Sequence, residues 1–123
     1  MSEELVNKQL SRLNGLMHSD RTKIDLEKGD PEHTPEELGA LAGVGYRSRN
    51  PDIQVSVYVF SSWSKHQSIS QQLKEEFAED GVHVVTATNG PMLFFGHTRV
   101  DGPNGTDARF ALGDVVSAFA GDE

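Results

Sequence analysis

Apolar and polar residues change period several times along this chain, and each change marks an element. Between residues 3 and 17, Val6, Leu10, Leu13 and Met17 recur at spacings of four, three and four, with Leu5 and Leu16 widening the stripe. Glu3, Glu4, Lys8, Gln9 and Arg12 lie off it. That is the period of an amphipathic helix. Ser2 can cap its first free N–H groups, and Glu3 and Glu4 suit the positive end of the helix dipole. The stripe needs a cover, either the chain's own sheet or a second copy of the helix. Two heptads are short for a coiled coil, so packing within the chain is the first expectation.

The period is lost over residues 18 to 33, which are charged and broken by Gly29-Asp30-Pro31 and read as a polar connection. Thr34-Pro35-Glu36-Glu37 then supplies an N-cap, a proline at the first helical position and a glutamate able to return to the cap's own N–H. A short helix through about Ala42 is predicted, kept short by Gly39, Gly43 and Gly45, with Arg47-Ser48-Arg49-Asn50-Pro51-Asp52 as a turn. Ile53, Val55, Val57 and Val59 alternate with Gln54, Ser56, Tyr58 and Phe60, the pattern of a strand.

From Lys65 to Glu79 the stripe Ile69, Leu73, Phe77 predicts a helix closed by Asp80-Gly81. Two β-rich runs, Val82 to Thr88 and Met92 to Thr98, flank Asn89-Gly90 and predict a hairpin. Both its faces are apolar through Val84, Val85, Leu93, Phe94 and Phe95, so it belongs inside a sheet or under a second cover. Asp101-Gly102-Pro103-Asn104-Gly105 reads as a loop. After it, Thr106 or Asp107 caps a last helix over residues 107 to 120, with Phe110, Val115, Val116 and Phe119 on its inner side.

These elements predict an α+β fold, a small two-layer sandwich over residues 1 to 123. Its core, residues 34 to 123, is a three-stranded βαββα unit made of a crossover helix, the Asn-Gly hairpin and the C-terminal helix. An amphipathic arm (1 to 17), the connection and the short second helix precede it. Helices 65 to 79 and 107 to 120 are expected on one face of the sheet, leaving the first helix free to cover the other.

Composition then removes chemistries. With no cysteine there is no disulfide, thiolate zinc site, iron–sulfur cluster or cysteine nucleophile. Nineteen acids against 11 Lys and Arg give a formal charge of −8, a poor match for a phosphate backbone, so no nucleic-acid partner is expected. No window approaches 18 apolar residues and the first residues do not resemble a targeting signal, which predicts a cytoplasmic chain without a membrane span.

Two clusters carry candidate chemistry. Ser61, Ser62, Trp63, Ser64, Lys65 and His66 fall where a strand meets a helix N-terminus, a place where N–H groups, hydroxyls and a cation can hold an anion and Trp63 can wall a flat ligand. The commoner explanation is a capping box of Ser64 with Gln67 and a packed Trp63. His83 and His97 share the hairpin. A two-residue turn at Asn89-Gly90, or a four-residue loop of Thr88 to Pro91, faces His83 with Gly96 and separates the histidines. A three-residue loop of Thr88-Asn89-Gly90 puts both on one face, and the missing N–H of Pro91 favours the longer loops.

Two histidines without a placed carboxylate make a poor metal site, so neither metal nor cofactor is expected. His18, His33 and the acids of residues 20 to 37 show no metal-ligand spacing, and no serine sits in a nucleophile elbow. No catalytic residue is assigned. The sequence therefore predicts a non-enzymatic interaction or regulatory module that binds a protein partner or forms a homodimer, with Val6, Leu10, Leu13 and Met17 as the interface. The alternative is a small-molecule or anion-binding domain, sensor or enzyme, built around Trp63.

Overall fold

Among the described residues five strands make the sheet, two more than the hydrophobic pattern predicts. In the computed structural model, which describes residues 3–18, 25–49, 52–61, 64–102 and 105–120, with the backbone alone at 64–66, the elements follow one another as a mixed series. They are α1 (Glu3–Met17), β1 (Glu27–Gly29), α2 (Pro35–Leu38), β2 (Ala42–Arg49), β3 (Asp52–Val59), α3 (Ser64–Glu76), β4 (Val82–Asn89), β5 (Met92–Arg99) and α4 (Gly105–Ala120). The strand order is β1-β2-β3-β5-β4 and every neighbouring pair is antiparallel. The class is α+β, with helices on an antiparallel sheet.

The two added strands come from segments expected to be helix, turn and connection. Strand β2 occupies the residues assigned to a helix exit and to the start of a turn, and Arg49 already pairs with Asp52 across the bend. Val44, Tyr46 and Ser48 point to one face and are buried, while Gly43, Gly45 and Arg47 point to the other. The glycines are there for a crossing. A Cβ at Gly45 would fall on the carbonyl of Asp30, and one at Gly43 would lie 2.8 Å from the ring of Tyr58. The chain leaves β1, which pairs with β2, and passes directly over β2 and β3 on that face, so only glycine leaves room.

The hairpin also differs from expectation. Asn89 pairs with Met92, leaving Gly90-Pro91 as a two-residue turn. Gly90 has φ 60° and proline fixes a negative φ, the combination of a type II′ turn, which asks for glycine at its first central position. Asn89 is thereby released from the turn. Its side chain is buried, donates from Nδ2 to the carbonyl of Phe119 (2.8 Å) and accepts from Arg12 (2.9 Å), joining α1, β4 and α4.

Helices cover both faces, so the expected two layers are three. One face carries α1 and α4 over Val44, Tyr46, Ile53, Val55, Val57, Val59, Met92 and Phe94, with Leu13, Met17, Leu112, Val115 and Phe119 closing the core. The other carries α2 and α3, with Leu38, Leu73, Ile69 and Phe77 against Tyr58, Leu93, Phe95 and Val84. The helices expected side by side, α3 and α4, are thus on opposite faces, and α1 lies beside α4. Strands β3 and β4 run in the same direction, as their crossover predicts, but β5 is inserted between them. β5 therefore sits inside the sheet, its apolar faces covered on both sides, and β4 becomes an edge strand, with no strand on its outer side among the described residues.

Candidate functional site

Two surface features collect chemistry-bearing residues. The first lies on the α2/α3 face, where residues 30 to 34 cross the sheet. The N–H of Glu32 donates to Ser56 Oγ (2.9 Å), while Tyr58 Oη accepts the N–H of His33 and donates to its carbonyl, both at 3.0 Å. Thus pinned, the segment presents its side chains to α3 and β5. His33 Nε2 meets Glu76 of α3 at 2.7 Å, and its Nδ1 meets Glu37 of α2 at 3.1 Å. Glu37 also accepts from Thr34 Oγ1 (3.1 Å) and from the Thr34 N–H (3.4 Å), the return limb that the capping pattern predicts.

Beside this, Glu32 bonds His97 Nε2 at 2.9 Å, and the His97 ring stacks on Phe77 with 4.7 Å between centroids. A cleft of about 370 Å³ opens next to the pair, lined by Asp52, Gln54, Glu76, Phe77, Glu79, His97 and Arg99 among others. Arg99 faces Glu79 at 3.6 Å and Asp101 at 3.7 Å. The carboxylates around His33 raise its pKa above the ordinary value, the hydrogen bond that its ring donates to Glu37 acting most strongly and burial opposing it. That same bond, with those from Thr34, lowers the pKa of Glu37.

These groups are matched histidine–carboxylate pairs spent on holding the crossing segment, α2 and α3 together. Among the described residues no group of three or more His, Asp and Glu is placed to hold a metal ion.

The second feature is the outer side of α4. Its buried positions are Gly105, Ala108, Leu112, Val115, Ala118 and Phe119, while Thr106, Arg109, Phe110, Gly113, Asp114 and Ser117 line a groove on the outer side, where Asp107 is exposed as well. Phe110, expected on the inner side, is 72% exposed, more than any other large apolar residue described. The helical period explains the error, because Phe110 sits two positions from Leu112 and so on the other side of the turn from the buried row. His83 of β4 also lines this groove, whose volume is about 780 Å³. Burial, and to a smaller degree the Arg109 charge, lowers the pKa of His83, which favours its neutral form.

Of the residues singled out in the sequence, Ser62 and Trp63 lie outside the described residues, as do the side chains of Ser64, Lys65 and His66; Ser61 is exposed. His83 pairs with Thr98 and His97 with Val84, so the two histidines occupy opposite faces and cannot share a metal. Leu13 and Met17 are fully buried under the chain's own sheet, and Val6 and Leu10 pack against the same core. The His33, Glu37 and Glu76 cluster is not legible in the sequence, because Glu76 lies 43 positions from His33. The one local signal was the capping box, which fixes Glu37 one helical turn beyond His33.

Among the described residues no helix is long and apolar enough to cross a membrane. Compared with protein-family models, curated proteins and solved structures, the chain matches none.

Proposed function

We propose that this protein is a non-enzymatic interaction module that acts by self-association. The observation that carries it is Phe110, a large aromatic residue 72% exposed on the outer side of α4. Leaving such a side chain in water forgoes roughly 1.5–3 kcal/mol that burial would return, and a contact surface over the groove that it walls would recover it. The apolar stripe of α1 is taken up by the chain's own core, so α4 supports the reading better than α1 does. The paired histidines and carboxylates described above add no unpaired nucleophile or base.

Light scattering behind size exclusion, followed by native mass spectrometry of the same peak, tests this. The expected result is a ligand-free species of twice the chain mass that dissociates on dilution. A monomer at every concentration overturns the reading, and a monomer carrying an extra small mass would favour a ligand site at the strand-to-helix turn around Trp63.

A further inference from the structure

The edge of the sheet offers a second kind of contact, independent of self-association. We propose that β4 receives an extended, cationic segment of another protein, which adds antiparallel as a further strand with its basic end beside Glu79, Asp80 and Asp101.

The backbone of β4 presents the complement of such a segment. The Val100 N–H donates to the Gly81 carbonyl, so in the β4–β5 register Gly81, His83, Val85, Ala87 and Asn89 are the residues that exchange bonds with β5. Val84, Thr86 and Thr88 therefore turn both N–H and C=O away from β5. Val82 turns out its carbonyl, while its N–H is bonded to the Glu79 carbonyl at 3.1 Å. Among the described residues no strand lies on that side. A row of donors and acceptors repeating about every 7 Å is matched by another extended backbone.

The two edges of the sheet are built differently. β1 is three residues long, exposed throughout, and carries Glu27 and Lys28, devices that ordinarily blunt an edge. β4 is eight residues long, and its sequence VHVVTATN contains no Lys, Arg, Asp, Glu or Pro. A groove also borders it on each face. On one side His83 shares the groove of Arg109 and Phe110 of α4. On the other, Val82 and Val84 line a groove of about 710 Å³ with Lys74 of α3 and with Ala78 just beyond that helix. An added strand sends alternate side chains to opposite faces, so each groove would take every second residue.

Charge selects the occupant. Glu79 and Asp80 lead into β4, and Asp101 stands against Gly81, where a Cβ would lie 2.6 Å from its carboxylate oxygen. Arg99 faces Glu79 and Asp101 and offsets one of these three acids, and Lys74 is the cation of the α3-side groove. The chain as a whole carries −8. Such a field draws a cationic segment and repels an acidic one. Every strand pair in this sheet is antiparallel. An antiparallel addition sets the segment's C-terminal end beside the acids, so its Lys or Arg belong there and its middle, along uncharged Val84 and Thr86, is uncharged too.

A labelled peptide of about ten residues, alternating valine and threonine and ending in two lysines, tests this against the full chain. Because Phe110 borders one groove, fluorescence anisotropy is read at dilution, where a second copy does not compete. Saturable binding is expected, with the Val84, Thr86 and Thr88 amides gaining hydrogen-exchange protection. N-methylating alternate peptide amides, those that face β4, should weaken binding about tenfold or more without any change to the protein. Glutamates in place of the lysines should weaken it similarly, and Asp80→Lys about threefold. Absence of saturable binding overturns the inference. Equal binding of the N-methylated peptide overturns strand addition, and equal binding of the glutamate peptide overturns the cationic partner. Protection of the same three amides in the chain alone, rising with its concentration, assigns the edge to a second copy and overturns the peptide as its occupant. None of these outcomes bears on whether the chain self-associates through Phe110, which light scattering reads separately.

Discussion

His33 Nε2 lies 2.7 Å from Glu76 Oε2, tying the segment that crosses the sheet to α3 across 43 positions of sequence. The other ring nitrogen is 3.1 Å from Glu37. A neutral imidazole has one N–H, so both bonds form together only in the imidazolium. The raised pKa of His33 follows from this geometry, first from Glu37 and then from Glu76, with burial opposing them. Because the folded pKa is above the ordinary 6.5, the stabilisation is complete below that value and is lost as pH rises through the folded pKa. Glu37 has the opposite sign: its pKa is lowered from 4.5, so its contribution is present above 4.5 and is lost as pH falls through the folded pKa. The clasp is therefore strongest between about 4.5 and 6.5. A proton NMR titration should show the His33 ring titrating above 6.5, with residues 32 to 38 losing exchange protection on the alkaline side. A midpoint at or below 6.5 would contradict the bridged geometry.

Tyr58 holds the same segment by its backbone, accepting one bond from His33 and returning another at 3.0 Å. Tyr58→Phe keeps the buried ring and removes both bonds, leaving the His33 N–H and carbonyl without that partner. A loss of about 1–3 kcal/mol is expected. Urea unfolding would show it as a lower midpoint at an unchanged slope. An unaltered midpoint would mean that water replaces the hydroxyl at no cost.

Two glycines should respond to alanine with opposite signs. At Gly45 the new Cβ falls on the Asp30 carbonyl, so the crossing segment must lift. Gly45→Ala is expected to destabilise by about 1–3 kcal/mol, the usual range for overpacking. At Gly113, in α4, nothing lies within 4 Å of the added atom. Gly113→Ala should stabilise the monomer by about 0.5–1 kcal/mol through helix propensity alone. Thermal unfolding of dilute samples compares the two, and equal shifts of one sign would refute the assigned environments.

How much was legible depended on whether a residue's neighbours in sequence were also its neighbours in space. The stripe of α1 and the alternation in β3 are properties of one element, and both elements appear as the pattern predicts. β2 carries an alternation too, Val44, Tyr46 and Ser48, but Gly43 and Gly45 disguise it as a helix exit. Gly45 answers to Asp30 and Gly43 first to Tyr58, each about 15 positions away, and no local rule contains those contacts. The hairpin slipped for a related reason. Asn-Gly is a strong turn signal, yet here Asn89 is drawn into the core by Arg12 and the end of α4, and the turn moves on to Gly90-Pro91. The His33 cluster was hidden by the same distance, since its strongest contact is with Glu76. Phe110 is the converse case, because the spacing of Leu112 and Val115 along α4 already sets it on the outer side.

Asn89 gives the sharpest test of how the two layers on the α1 side are joined. The carbonyl of Phe119, in the last turn of α4, has no partner within its own helix, and the Asn89 amide supplies the missing donor at 2.8 Å. Asn89→Ala removes that donor and the acceptor for Arg12. A cost of about 1–3 kcal/mol is expected, with exchange protection falling first at the C-terminal end of α4 and along α1. Asn89→Asp separates the two roles, because it keeps an acceptor for Arg12 but turns a second oxygen toward the Phe119 carbonyl. Only a protonated carboxyl can donate there, so burial and the carbonyl raise this aspartate's pKa in the folded state; the Arg12 guanidinium 2.9 Å away pulls it down, but Arg12 is exposed and its charge is screened, so the net shift is expected upward. The sign follows: the Asp variant gains stability relative to wild type as pH falls through that raised pKa, and loses it above. Chemical denaturation of both proteins at several pH values reads the difference directly. A gap between Asp and Asn that does not change with pH would show that the Asn89 amide is not the donor that closes α4.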